Sequence, residues 1–122
     1  MPDRTPRSSF ISVTPMIPTG VALTEALKFY TEQMGFSISW QTDTGAGIVR
    51  DGVSFNLVVN NNREWSENSS YSICVSDLEG LYEEYRRLPV RVGPLEVKAW
   101  GRREFHMIVP SGVCLQFYQV KG

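Results

Sequence analysis

Asn56 and Gln116 occupy the same place in two copies of one short pattern. Asp51-Gly52-Val53-Ser54-Phe55-Asn56-Leu57-Val58-Val59 is echoed by Ser111-Gly112-Val113-Cys114-Leu115-Gln116-Phe117-Tyr118-Gln119. In each copy a glycine turn leads into a strand with alternate apolar residues, so one carboxamide is presented at a fixed point on the polar face. A carboxamide donates and accepts hydrogen bonds without charge, which suits holding a polar ligand and offers no general base. Alternation from these two residues puts Ser54 and Val58 on the same face in the first copy, and Cys114 and Tyr118 in the second. A further strand, Tyr71 to Val75, adds Ser72 and Cys74. Cys114 has no assignable basic partner to activate it, so it reads as an inert thiol. His106 is the only histidine in the chain, on the penultimate strand, and one imidazole does not make a metal site. Trp40 and Trp100 are aromatic walls for a planar ligand, with Trp40 alternatively ending a strand against the core. Trp65, in a polar stretch, reads as a packing plug or a lid.

The elements that must carry these residues also come twice. Leu23, Ala26, Leu27, Tyr30 and Met34 keep the spacing of a buried helical stripe, and Gly35 is placed to end that helix in the left-handed region. Strands are expected at Phe36–Thr42, Gly47–Arg50 and Val53–Val59, with Asp51-Gly52 as a hairpin turn. Asp77 is an N-cap for a second helix with Leu78, Leu81, Tyr82, Tyr85 and Leu88 as its stripe, stopped by Pro89. A short strand and a loop follow across Val90–Arg103, then a hairpin from Glu104 to Val120. The first strand lies in Phe10–Ile17, where Pro15 and Pro18 force an edge position or a change of partner. The fold class is therefore α+β: two βαβββ modules, 10–60 and 70–120, joined by a polar linker at 61–69 within one domain, 10–122. Residues 1–9 read as a flexible N-terminal arm. The modules are expected to form a curved mixed sheet whose concave surface is a ligand groove.

A chain of 122 residues buries roughly 65–70% of its unfolded surface, enough for one joint core and not for two separate ones. A net charge of −1 gives no electrostatic footprint for nucleic acid. No apolar run spans a membrane and the first residues lack a signal-peptide segment, so the expected compartment is the cytoplasm. There Cys74 and Cys114 are expected as small core thiols and not as a disulfide. Arg86-Arg87 and Arg102-Arg103 read as solvated surface charge.

The ordered set Leu27-Lys28-Phe29-Tyr30, Met34-Gly35-Phe36, Val75-Ser76-Asp77-Leu78, Trp100-Gly101-Arg102-Arg103-Glu104-Phe105 and Pro110-Ser111-Gly112 resembles the vicinal oxygen chelate superfamily. That superfamily joins glyoxalase I, extradiol dioxygenases and bleomycin-resistance proteins. The resemblance spans residues 10–120, and departs from the usual acidic turn at Val109-Pro110-Ser111-Gly112. In metal-dependent members each module supplies ligands from its first and last strands. Here the resemblance puts those positions at Asn56, at Gln116, at or beside Ser70, and around Val13 to Pro15, none of them His, Asp or Glu. Amide and hydroxyl oxygens alone are poor ligands for zinc or iron.

The resemblance is therefore nearest the metal-free bleomycin-resistance branch, whose members are dimers that exchange an N-terminal strand and share grooves between subunits. It implies a small-molecule binding protein that sequesters an antibiotic-like or other planar ligand, as a strand-exchanged homodimer. Expected ligand contacts are Trp40, Ser54, Asn56, Ser72, Trp100, His106, Cys114, Gln116 and Tyr118, with no cofactor, no metal, no catalytic residue, and neither nucleic acid nor membrane as partner. The branch binds its cationic drug in an acidic groove, for which Glu64, Glu67, Glu96 and Glu104 are the local carboxylates here. The alternatives are a metal-dependent lyase, isomerase or dioxygenase with atypical ligands, and a dimer with a regulatory role.

Overall fold

Both repeated turns fold as hairpins, and both repeated strands become central strands. The structure is a computed structural model and describes residues 7–120. The first module comprises β1 (Met16–Pro18), α1 (Leu23–Lys28), β2 (Ser37–Gln41), β3 (Gly45–Arg50) and β4 (Val53–Val58). A short helix α2 (Arg63–Glu67) follows in the linker. The second module comprises β5 (Ser70–Cys74), α3 (Leu78–Tyr85), the two-residue strands β6 (Arg91–Val92) and β7 (Glu96–Val97), then β8 (Arg103–Ile108) and β9 (Cys114–Tyr118).

The two sheets have matching order. β4 lies between parallel β1 and antiparallel β3, with β2 outermost. β9 likewise lies between parallel β5 and antiparallel β8, and β6 and β7 both pair with β8. Asp51 turns the first hairpin at φ 50°, a left-handed conformation that aspartate tolerates better than most residues. Gly112 turns the second at φ 101°.

Local signals fixed both helices. Asp77 accepts from the Gly80 N–H at 3.0 Å, and Gly35 ends the first helix at φ 82°. After Lys28 the first helix widens into a π turn, Phe29–Gln33, in which the Met34 N–H reaches back to the Phe29 carbonyl. Both Phe29 and Tyr30 are buried along this turn. Phe36, Phe55, Tyr71, Phe105 and Phe117 extend an aromatic core from one module into the other, with Phe55 and Tyr71 meeting across the joint at 5.7 Å. One buried cluster therefore serves both sheets.

A polar tie crosses the same joint. Arg50 Nη1 donates to the Met34 carbonyl (2.7 Å), to Glu84 (3.0 Å) and to the Tyr85 oxygen (2.8 Å), while the Tyr85 hydroxyl donates to Met34 (2.8 Å). Burial pushes the Tyr85 phenol up to about 12, although the Arg50 charge pulls it down. Burial raises Tyr30 as well. A phenol raised on folding contributes stability that is complete below its unfolded pKa, near 10, and is lost as pH rises towards the folded value. Urea unfolding should therefore show stability falling from pH 10 upward. Tyr85→Phe should be less stable at pH 8 but fall less steeply, its unfolding releasing one proton fewer in that window.

Three regions differ from expectation. The first strand is confined to Met16–Pro18, and residues 7–15 have no strand assignment, because Pro15 brings no N–H and little of this chain lies alongside. The N-terminal arm lies mostly outside the described residues, which begin at Arg7. The linker holds α2, where Asn62 accepts from the Trp65 N–H at 3.1 Å and leaves Trp65 half-buried. Cys74 is exposed at the end of its strand and not a core thiol. No helix among the described residues is long and apolar enough to cross a membrane.

Candidate functional site

Each sheet turns one face to the shared core, so its other face looks away from it. These outer faces carry the expected ligand contacts.

On the first sheet, Trp40 pairs with Gly47 across β2 and β3, and Gly47 pairs with Asn56 across β3 and β4. The indole lies flat over Gly47, where any Cβ would collide with its Nε1. It extends over Gly45 as well, so both glycines are buried beneath it. This posture brings Nε1 within 3.2 Å of Asn56 Oδ1, to which it donates. Trp40 remains 45% exposed, so one face of the ring is open for stacking. Ser54 and Val58 flank Asn56 on this face, both half-buried.

The second sheet repeats the device with large and small exchanged. His106 pairs with Gln116, and its ring lies over Gly93 on the neighbouring edge. Thus Gly47 and His106 are equivalent, and so are Trp40 and Gly93. A glycine receives the ring in both sheets, but the ring comes from opposite strands. Gln116 Oε1 accepts from Ser72 at 2.9 Å. Arg102 donates from Nε to Glu104 at 2.7 Å and from Nη2 to Ser72 at 3.4 Å, and its guanidinium lies 3.9 Å from the centre of the Tyr118 ring. Glu104 is buried beneath it. Burial pushes the Cys114 thiol above its ordinary range, partly offset by a hydrogen bond with Ser70, which suits a thiol that is not activated.

Trp100 stands at the tip of the β7–β8 hairpin, 66% exposed. There Gly101 takes φ 87° and the Lys98 N–H closes the loop on the Arg102 carbonyl at 3.0 Å. Of the residues expected in the site, Trp40, Ser54 and Asn56 are gathered on one sheet and Ser72, His106, Cys114, Gln116 and Tyr118 on the other. Arg102 and Glu104 join the second group. Adjacency to Arg103 suggests solvated charge at Arg102, but counting back by twos from His106 places both on its face. The residue opposite Gln116 is Ser72, not Ser70, and the residue opposite Asn56 is Met16, beyond Val13–Pro15.

The donor set does not fit the divalent metal of the metal-dependent enzymes. Asn56 Oδ1 is engaged by Trp40, Gln116 Oε1 by Ser72, and Glu104 by Arg102. No group of three or more His, Cys, Asp or Glu among the described residues could hold a metal ion.

No family model matches this chain, and no curated protein does. Solved structures do. The bleomycin-binding protein of Streptomyces verticillus, solved with copper(II)-bleomycin, superposes with a TM-score of 0.82 at 22% identity, over 94% of this chain and 100% of its own. TnmS3, an antibiotic binding protein from Streptomyces sp. CB03234, gives 0.66 at 18% identity over 93% and 100%. A glyoxalase/bleomycin resistance protein/dioxygenase superfamily member from Sphaerobacter thermophilus gives 0.65 at 20% over 90% and 98%. Duplicated modules, matching sheet order and these superpositions together show that the chain has the vicinal oxygen chelate fold, in the form that bleomycin-binding proteins share.

Proposed function

We propose that this protein binds and sequesters a planar, antibiotic-like small molecule without a metal of its own. The observation that carries the reading is the chemistry of the two outer faces. Each presents a carboxamide already oriented by a neighbour, beside an aromatic ring laid over glycine, and the buried Glu104 carboxylate is matched by Arg102. Oriented amides and open indoles recognise a polar, flat ligand by hydrogen bonding and stacking, while no general base stands ready for turnover. Structural neighbours that bind bleomycin and another antibiotic point the same way.

The groove in this reading is completed by a second copy of the chain. The first sheet of one subunit would stand opposite the second sheet of its partner, so that both walls come from different copies. Residues 7–15 supply the means. Phe10, Ile11 and Val13 are almost fully exposed on an extended segment whose Pro15 carbonyl already accepts from the Asn56 N–H at 2.8 Å. Exposed apolar side chains running up to a strand favour burial against another surface.

Titration with bleomycin, metal-free and copper-loaded, followed by tryptophan quenching, tests the reading. Trp100→Ala should weaken binding roughly fivefold, the scale of one lost stacking contact of about 1 kcal/mol, and leave the unfolding transition in place. Elemental analysis on the same preparation separates the alternative. Zinc, nickel, manganese or iron near one per subunit would sink the metal-free reading and favour a lyase or dioxygenase.

A further inference from the structure

The duplication creates two equivalent seams between the modules, and only one of them is closed. In each seam the hairpin turn of one module approaches the strand-to-helix loop of the other. Where the β8–β9 turn meets the β1–α1 loop, the chains touch: a Cβ on Gly20 would lie 2.5 Å from Ser111 Cα, and Ser111 is buried. Helix α2 packs over this seam, with Ser66 and Glu67 against Gly112. In the opposite seam the β3–β4 turn stands off from the β5–α3 loop. A Cβ on Gly52 would meet nothing within 4 Å, and α2 has no counterpart there among the described residues. The gap is a pocket of about 700 Å³.

Its lining is specific in character. Phe36, Val53, Ile73, Leu81 and Phe117 make an apolar floor, while Asp51, Asp77 and Glu84 stand around it. Arg50 is the one cationic side chain in the lining, and its Nη1 is spent on Met34, Glu84 and Tyr85. Three carboxylates against one guanidinium leave two negative charges in excess. The N-terminus of α3 offers no compensating anion site, because Asp77 caps the Gly80 N–H and the Gln119 side chain takes that of Leu78.

We propose that this open seam is a second binding site, separate from the outer faces, for a small organic cation: a protonated amine carried on an apolar ring-sized body. The ring lies on the Phe36–Phe117 floor and the ammonium faces the rim carboxylates. A volume of this size admits a drug-sized molecule, and its charge selects against anions.

Isothermal titration of the intact protein with three probes of one shape tests this: phenethylamine, 2-phenylethanol and phenylacetate. Phenethylamine should bind saturably, 2-phenylethanol several-fold more weakly, and phenylacetate not at all. Asp51→Asn, at an exposed rim position, should weaken the amine about two- to fivefold, as loss of one exposed charge does. Ser76→Arg, which adds a cation at the exposed mouth, should abolish the heat. Trp100→Ala should leave amine binding unchanged, which distinguishes this pocket from the groove. Equal binding of all three probes, preference for phenylacetate, or amine binding that survives Ser76→Arg would each overturn the proposal. So would the absence of any phenethylamine heat, whatever bleomycin does.

Discussion

Arg102→Met should cost the fold about 3 kcal/mol. Glu104 is only 1% exposed, and its carboxylate accepts from Arg102 Nε at 2.7 Å. Methionine keeps much of the arginine's length and removes the guanidinium, so the substitution leaves a carboxylate buried and unmatched. The low end of the range for broken buried pairs applies, because the Arg102 side chain is itself 34% exposed and water reaches its outer edge. The double replacement Arg102→Met with Glu104→Met should recover most of the loss, since neither desolvated charge then remains. Urea unfolding of the two single variants and the double one measures the coupling directly. Full stability in Arg102→Met would show that Glu104 is not dependent on this partner. The same cycle bears on binding. Arg102 stacks on Tyr118 and touches Ser72, which in turn donates to Gln116, so its loss should loosen the whole second face.

That network shows where sequence reading reaches and where it stops. Features encoded by neighbours along the chain were legible: the helical stripes, the Asp77 cap, the left-handed Gly35 and both glycine hairpins. The duplicated turns carried Asn56 and Gln116 to their positions because a hairpin fixes the register of the strand that follows it. The partners across the parallel pairs were not legible, since β1 and β5 reach β4 and β9 only after tens of residues and no turn sets their offset. Hence Ser72, and not Ser70, stands opposite Gln116. The rings over Gly47 and Gly93 escaped for a similar reason. A glycine inside a strand signals close approach by something, but which side chain arrives depends on the neighbouring strand. Arg102 looks like surface charge in sequence because it is adjacent to Arg103. Alternation turns Arg103 to the helix side, where it pairs with Glu79 of α3, and Arg102 to the outer face, where Glu104 waits.

The duplication also explains why the site divides as it does. Under the proposed reading each sheet of a single chain supplies one wall, and the groove is completed by a second copy. Exchange of large and small residues between equivalent positions makes the halves different: an indole and a carboxamide on one, an imidazole, an ion pair and a phenol on the other. A groove assembled from one half of each kind has two chemically distinct walls, which suits an asymmetric ligand better than two copies of either wall would.

The seams give the sharpest contrast within the duplicated frame. Gly20→Ala should destabilise the protein by about 3 kcal/mol, combining left-handed strain with overpacking. Gly20 sits at φ 68°, and the added Cβ would meet Ser111 at its Cα (2.5 Å) and Cβ (2.7 Å), atoms that cannot swing aside as a long side chain would. Relief requires the β8–β9 turn to move away from the β1–α1 loop, which pulls Val109 and Val113 from the core. Gly52→Ala, in the β3–β4 turn that borders the open seam, meets open space and has no left-handed backbone. It should be neutral or stabilising by up to about 1 kcal/mol, through reduced freedom of the unfolded chain. Thermal unfolding of the pair decides the matter. A difference of several kcal/mol between the two alanines means that one seam is a structural joint and the other is space the fold leaves open. Equal losses would mean that the second seam closes in solution, and the pocket between Phe36 and Phe117 would close with it.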